Sequence, residues 1–110
     1  MIRGAVVKAI DNASSTTTSG VIDVRNYDGV FILSHDEGSF SGTISVLADL
    51  AEADRYGAEQ ATGNYKQYGA SLTLDRVERL DDTPAKIKIS VTRTAGAVSV
   101  WVQPFIRGRM

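Results

Sequence analysis

KIKISVTRTAGAVSVWVQPFI, residues Lys86–Ile106, is the stretch on which the fold turns. Ile87, Ile89 and Val91 alternate with Lys86, Lys88, Ser90 and Thr92. A period of two marks a half-buried strand. Val98, Val100 and Val102 then alternate with Ala97, Ser99 and Trp101, giving a second strand. Between them lie Thr94, Ala95 and Gly96. Glycine takes a left-handed conformation without steric cost, so the pattern predicts a three-residue loop closed by Gly96 and an antiparallel hairpin. An isolated two-stranded ribbon is marginal in water, so its valine and isoleucine face needs a second layer. The other face carries Trp101 and Phe105. Such large aromatics call for cover there as well, from another segment of the chain or from a neighbouring subunit.

Outward from this stretch, the chain reads as short strands between turn signals. Residues 2–10 form a first strand, with Ala5, Val7 and Ala9 on one side and Val6, Lys8 and Ile10 on the other. Residues 11–20, DNASSTTTSG, have no apolar anchor beyond Ala13 and predict an exposed linker, or an arm laid on a partner. Residues 21–24 are a short strand, and 25–29 a turn of Asn, Asp and Gly. The apolar run 30–33 is a core strand, and 35–39 an exposed polar turn. Residues 42–50 give another strand, with Ile44 and Val46 on one face.

Residues 48–60 fit either a short helical turn or a loop leading into an irregular strand, and 61–69 read as loop. Residues 71–74 look like a strand, with 75–82 open. Asp81, Asp82, Thr83 and Pro84 break the chain before Lys86, since proline lacks the donor a central strand needs. Seven or eight short strands with little helix predict an all-β fold: an antiparallel two-sheet sandwich, jelly-roll-like, or immunoglobulin-like as the alternative. Residues 1–110 make a single domain, long enough to bury roughly 65% of the unfolded surface.

Composition narrows the function. Cysteine is absent, which removes disulfides and thiolate chemistry. A net charge of −1 argues against nucleic acid, whose phosphates call for a basic stripe. No apolar run approaches the ~20 residues of a membrane helix, and the N-terminus lacks the apolar region of a signal peptide. The single histidine, His35, stands beside Asp36 and Glu37. With no second histidine and no cysteine it reads as part of a solvated turn, not as a metal ligand or general base. Asp49, Glu52 and Asp54 offer oxygen ligands for calcium but lack the EF-hand glycine and terminal glutamate. No nucleophile elbow, phosphate loop or dinucleotide fingerprint occurs. The expectation is a protein that is not an enzyme and uses no cofactor or metal. Tyr27, Tyr56, Tyr65, Tyr68 and Trp101 would suit an aromatic platform for sugars, or else cap the core with their hydroxyls wet.

Three features carry a resemblance. A Ser/Thr-rich stretch, Asn12 through Ser19, ends the N-terminal segment; a short strand at Val21 to Val24 is followed by Tyr27-Asp28-Gly29 and the run Val30 to Leu33; KIKISVT, a glycine-containing turn and a final strand ending in Phe105-Ile106-Arg107-Gly108-Arg109 close the chain. In this order they resemble the small head decoration, or capsid cementing, proteins of tailed bacteriophages. The likeness covers both ends; residues 50–80 contain no counterpart of that group's Ser-Asp-Asp-Gly turn.

The resemblance implies a jelly-roll-like β-sandwich, often trimeric, on the outer capsid surface of the virion, with no catalytic residue. It implies the major capsid protein as partner and a homotrimer, with no nucleic acid and no membrane. On this reading Met1, Ile2, Arg3 and Lys8 with Arg107 and Arg109 contact the capsid, and Trp101 and Phe105 are the subunit-interface candidates. The alternative is a tail or fibre module that binds host glycan through Tyr56, Tyr65 and Tyr68.

Overall fold

The computed structural model describes residues 1–48 and 65–108. Among them are eight strands and no helix: β1 Ile2–Arg3, β2 Val7–Ala13, β3 Thr17–Thr18, β4 Ile22–Asp23, β5 Gly29–Ala48, β6 Lys66–Gln67, β7 Arg76–Asp81 and β8 Lys86–Ile106. The readings of residues 48–60 as helical turn or irregular strand, the acids Asp49, Glu52 and Asp54, Tyr56 and Arg109 lie, save for Ala48 itself, outside the described residues.

The hairpin expected within Lys86–Ile106 does not form. Both halves belong to one strand, β8, which runs antiparallel to β5 from Gly29↔Phe105 to Ala48↔Ile87. The two alternations are real and their inner and outer faces are as read. What differs is the connection: Gly96, at φ +73°, bends the strand where a turn would have reversed it. Asp36 pairs with Val98 and Gly42 with Arg93, so β5 advances six residues across the bend while β8 advances five. That extra residue makes a bulge, and the inward parity of β8 switches from Ile87, Ile89 and Val91 to Val98, Val100 and Val102. The strands approach so closely here that a Cβ on Gly96 would collide with the carbonyl oxygens of Gly38 and Ser39, and one on Gly42 with that of Thr92.

The other strands flank this pair. β1, β2, β3 and β4 file in turn along the free side of β8, from Ile2↔Ile106 to Asp23↔Lys86. β6 and β7 file along the free side of β5, from Ala48↔Lys66 to Gly29↔Asp81. Residues 11–20 are therefore not a free linker; they are held along the chain's own β8. Thr17 and Thr18 pair with Val91 and Ser90, and the Ser19 amide donates to the Ile89 carbonyl while its Oγ accepts from the Ile89 amide at 2.9 Å. An edge strand needs ladder partners, not apolar anchors, and short hydroxyl side chains meet that need. Residues 71–74 lie outside any strand, although the Leu72 amide still donates to the Ile44 carbonyl. Residues 35–39 continue β5 and do not form a separate turn.

One crease crosses the whole sheet. Left-handed backbone occurs at Asn12 beside β8, at Ser39 in β5, at Gly96 in β8 and at Asp75 beside β5. Asn and Asp tolerate that region better than other non-glycine residues. The crease divides the sheet into two halves of four strand positions, with β1 and β2 end to end in one edge position and β3 and β4 in the other. One holds β1 and β2, the C-terminal half of β8, the N-terminal half of β5, and β7. The other holds β3 and β4, the N-terminal half of β8, the C-terminal half of β5, and β6. The halves enclose one core, with Val30, Ile32, Val98, Val100 and Val102 from the first and Ile44, Val46, Ile87, Ile89 and Val91 from the second. Four strands on four in this order are the jelly-roll arrangement, not the immunoglobulin one of four on three.

Candidate functional site

The outward face of the first half carries apolar side chains where a solvated sheet would be polar. The register stacks them in rows. Lys8, Trp101, Leu33 and Val77 make one row across β2, β8, β5 and β7. Gln103, Phe31 and Arg79 make the next, and Arg3, Phe105, Gly29 and Asp81 the third. Val6, Phe31, Leu33, Val77, Trp101 and Gln103 line a shallow hollow of about 380 Å³. Val6 is 56% exposed and Val77 59%, so this is open apolar surface. Contiguous apolar surface of this kind, rimmed by polar groups, marks interaction sites.

Cations rim the hollow and lie against its rings. The Arg3 guanidinium is 5.0 Å from the Phe31 ring centre and the Lys8 ammonium 5.0 Å from that of Trp101. The Arg79 guanidinium is 4.7 Å from the Phe105 ring and 6.0 Å from that of Phe31. Such contacts hold a long side chain over an aromatic face while leaving its donors toward solvent. Lys8 also meets Asp11 at 2.8 Å, and Arg79 meets Asp81 at 3.1 Å.

Residues expected to serve two different contacts thus share one face: Arg3 and Lys8, assigned to the capsid, stand beside Trp101, assigned to the subunit interface. Met1 and Ile2 are exposed close by. Phe105 is fully buried within its own chain, 4.8 Å from the Phe31 ring, so of the two aromatics only Trp101 offers surface to a neighbour. Arg107 is clasped by its own chain. Its Nη2 donates to Asp81 and Asp82, each at 3.1 Å, and its amide donates to Asp28 at 2.6 Å. The bonds to Asp82 and then Asp81 raise its pKa further.

Beside the hollow lies the crease. His35 Nδ1 is 3.3 Å from Asp75, its Nε2 is 3.7 Å from Glu37, and its ring centre is 6.4 Å from that of Trp101. Ser99 donates to Glu37 at 2.6 Å and accepts from the Asn12 amide at 2.8 Å, joining β2, β8 and β5. Asp36 accepts from the amides of Phe40 at 3.0 Å and Gly38 at 2.8 Å, which holds its carboxyl below the usual range. These groups tie strands together. Among the described residues no three His, Asp or Glu side chains are grouped to hold a metal ion.

Tyr65 is buried under the Lys88 ammonium at 4.4 Å, and the Tyr68 hydroxyl donates to the Asp82 carbonyl at 3.0 Å. Sequence reasoning overlooked Phe31, Leu33 and Val77. The run 30–33 reads as wholly core, yet Val30 and Ile32 point inward while Phe31 and Leu33 line the outer hollow. The signal was present as the strand's alternating parity, applied to a run without polar residues.

No protein-family model matches the chain, and no curated protein sequence matches it. Among solved structures it is similar to the SPBc2 prophage-derived protein YomS, with a TM-score of 0.67 over 94% of this chain and 95% of that one. At 14% identity the two share the all-β fold and little sequence.

Proposed function

We propose that this chain is a non-enzymatic structural protein of a phage virion, a decoration protein that binds the outer surface of the head as a homotrimer and stabilises it. Its partner is the major capsid protein, and it engages neither nucleic acid nor membrane. The observation that carries the reading is the open apolar hollow around Trp101, set on a jelly roll that is similar in fold to a prophage-derived protein. Because Arg3, Lys8 and Trp101 share one face, that face is assigned to the shell. Threefold contacts are left to the sheet edges, the β1–β4 file and β7. Binding only to the assembled shell stabilises it by mass action, and many copies on a lattice multiply a modest contact.

The test is to add purified protein to heads that lack it and to sediment the mixture. The protein is expected to co-sediment with expanded heads and raise their disruption temperature, with Trp101→Ala losing both effects. Failure to bind expanded and unexpanded heads alike sinks the reading. A glycan-binding tail or fibre module is not favoured, since Tyr65 is buried and the Tyr68 hydroxyl is engaged.

A further inference from the structure

The geometry points to a docking site, in the hollow around Trp101, for an acidic segment of another polypeptide. One apolar side chain of that segment sits between Trp101, Leu33 and Val77, with a carboxylate toward Arg3 on one flank and another toward Arg79 on the other. The inference rests on the proposed function only for the source of the segment, the major capsid protein.

Charge selects this occupant. The hollow itself is apolar, and three cations lie over its rings, Arg3 and Arg79 over Phe31 and Lys8 over Trp101. Lys8 and Arg79 each hold one carboxylate already, Asp11 and Asp81. Arg3 meets no carboxylate among the described residues; its one close partner is the Phe31 ring. Arg79 engages Asp81 through Nε and Nη2, both on the same Asp81 oxygen, which leaves further guanidinium donors for a second acid. Guanidinium groups held in place over aromatic rings are pre-organised for bidentate carboxylate binding.

A second copy of this chain fits less well. A twofold contact of the face with itself brings Arg3, Lys8 and Arg79 of one protomer against the same three of its partner. A basic partner meets the same repulsion. A neutral apolar partner fills the hollow and leaves Arg3 facing it without a counter-charge. The composition of the face, a tryptophan and arginines around a small apolar centre, is that of a binding hot spot.

Trp101 is the chain's single tryptophan, so its emission reports occupancy directly. The probes are three acetylated, amidated peptides: DELFED, its basic counterpart KKLFKK, and DEAAED, which keeps the acids and lacks the anchor. DELFED is expected to shift Trp101 emission saturably and to weaken with added salt. KKLFKK and DEAAED should each bind at least about tenfold more weakly. Arg3→Glu, an exposed change that leaves the core untouched, should reverse the preference between DELFED and KKLFKK. Leu33→Ser should weaken both. The inference is overturned if DELFED leaves the emission unchanged at millimolar concentration, or if DELFED and KKLFKK bind alike. It is also overturned if the free protein buries Trp101 as its own concentration rises, because a second copy is then the occupant. If heads bind but neither Arg3→Glu nor excess DELFED affects them, the inference fails and the decoration reading stands. If DELFED binds and heads do not, the inference stands and the decoration reading fails.

Discussion

Asp36 shows how one side chain at the crease holds a bend. Its Oδ1 accepts the amides of both Phe40 and Gly38, and those bonds favour the ionised carboxylate. The folded state therefore holds the Asp36 pKa below its ordinary value. The stability from this preference is complete above the ordinary carboxyl range and drains away as the pH falls through the lowered value. Asp36→Asn keeps an acceptor but loses the charge. The variant should be less stable than the parent at neutral pH, with the gap closing as the pH is brought below the ordinary carboxyl range and the parent's carboxylate protonates. Urea midpoints measured at neutral pH and below that range check this, and a gap that stays constant would contradict it. Trp101 makes a different point at the same scale. Alternation in the sequence puts it on the outer face, but the Lys8 ammonium over its ring comes from β2, and the arginines over neighbouring Phe31 come from β1 and β7, all far away in the chain.

At the scale of the element, β8 is the strand whose two faces were legible and whose path was not. Ile87, Ile89 and Val91 are all fully buried, as are Val98, Val100 and Val102, so the residues read as inward are inward. The misreading lay in Gly96. A left-handed glycine serves a tight reversal and a bulged bend equally well, and nothing within a single strand reveals whether its halves pair with each other or with a third segment. The need for glycine can be measured. At φ +73° alanine meets a strained backbone, and its Cβ meets two carbonyl oxygens. Gly96→Ala should cost about 2–4 kcal/mol in urea unfolding. Gly20→Ala, where a Cβ meets nothing within 4 Å, should be close to neutral. Similar losses in both variants would show that the crease does not depend on Gly96. The Ser/Thr-rich residues 11–20 hid their role for the opposite reason: their hydroxyls and amides pair with β8 while only Ala13 of their apolar side chains packs against the core, so hydropathy carries little trace of them.

For the whole molecule, the fold class was legible because strand alternation and turn residues are local signals, whereas the sheet order was not, because every ladder here is long-range. Among the described residues the ladder partners nearest in sequence are Ala48 and Lys66, 18 positions apart (66 − 48), and Ile2 waits for Ile106. The outer hollow escaped notice for the same reason, since Val6, Leu33, Val77 and Trp101 become neighbours only when four distant segments align. A sheet built this way has no quick local nucleus, since large loops must close before any pairing offsets their entropy. Refolding followed by Trp101 emission should therefore take milliseconds to seconds, the range of high-contact-order β domains; completion in microseconds would be inconsistent with this topology. During synthesis the earliest segments emerge long before β8, the strand that lies between them and β5. Residues 2–23 then leave the ribosome with no template to lie on, and a nascent chain that stops short of Lys86 holds β5 with β6 and β7 on one side and the β1–β4 file on the other, without the strand that joins them.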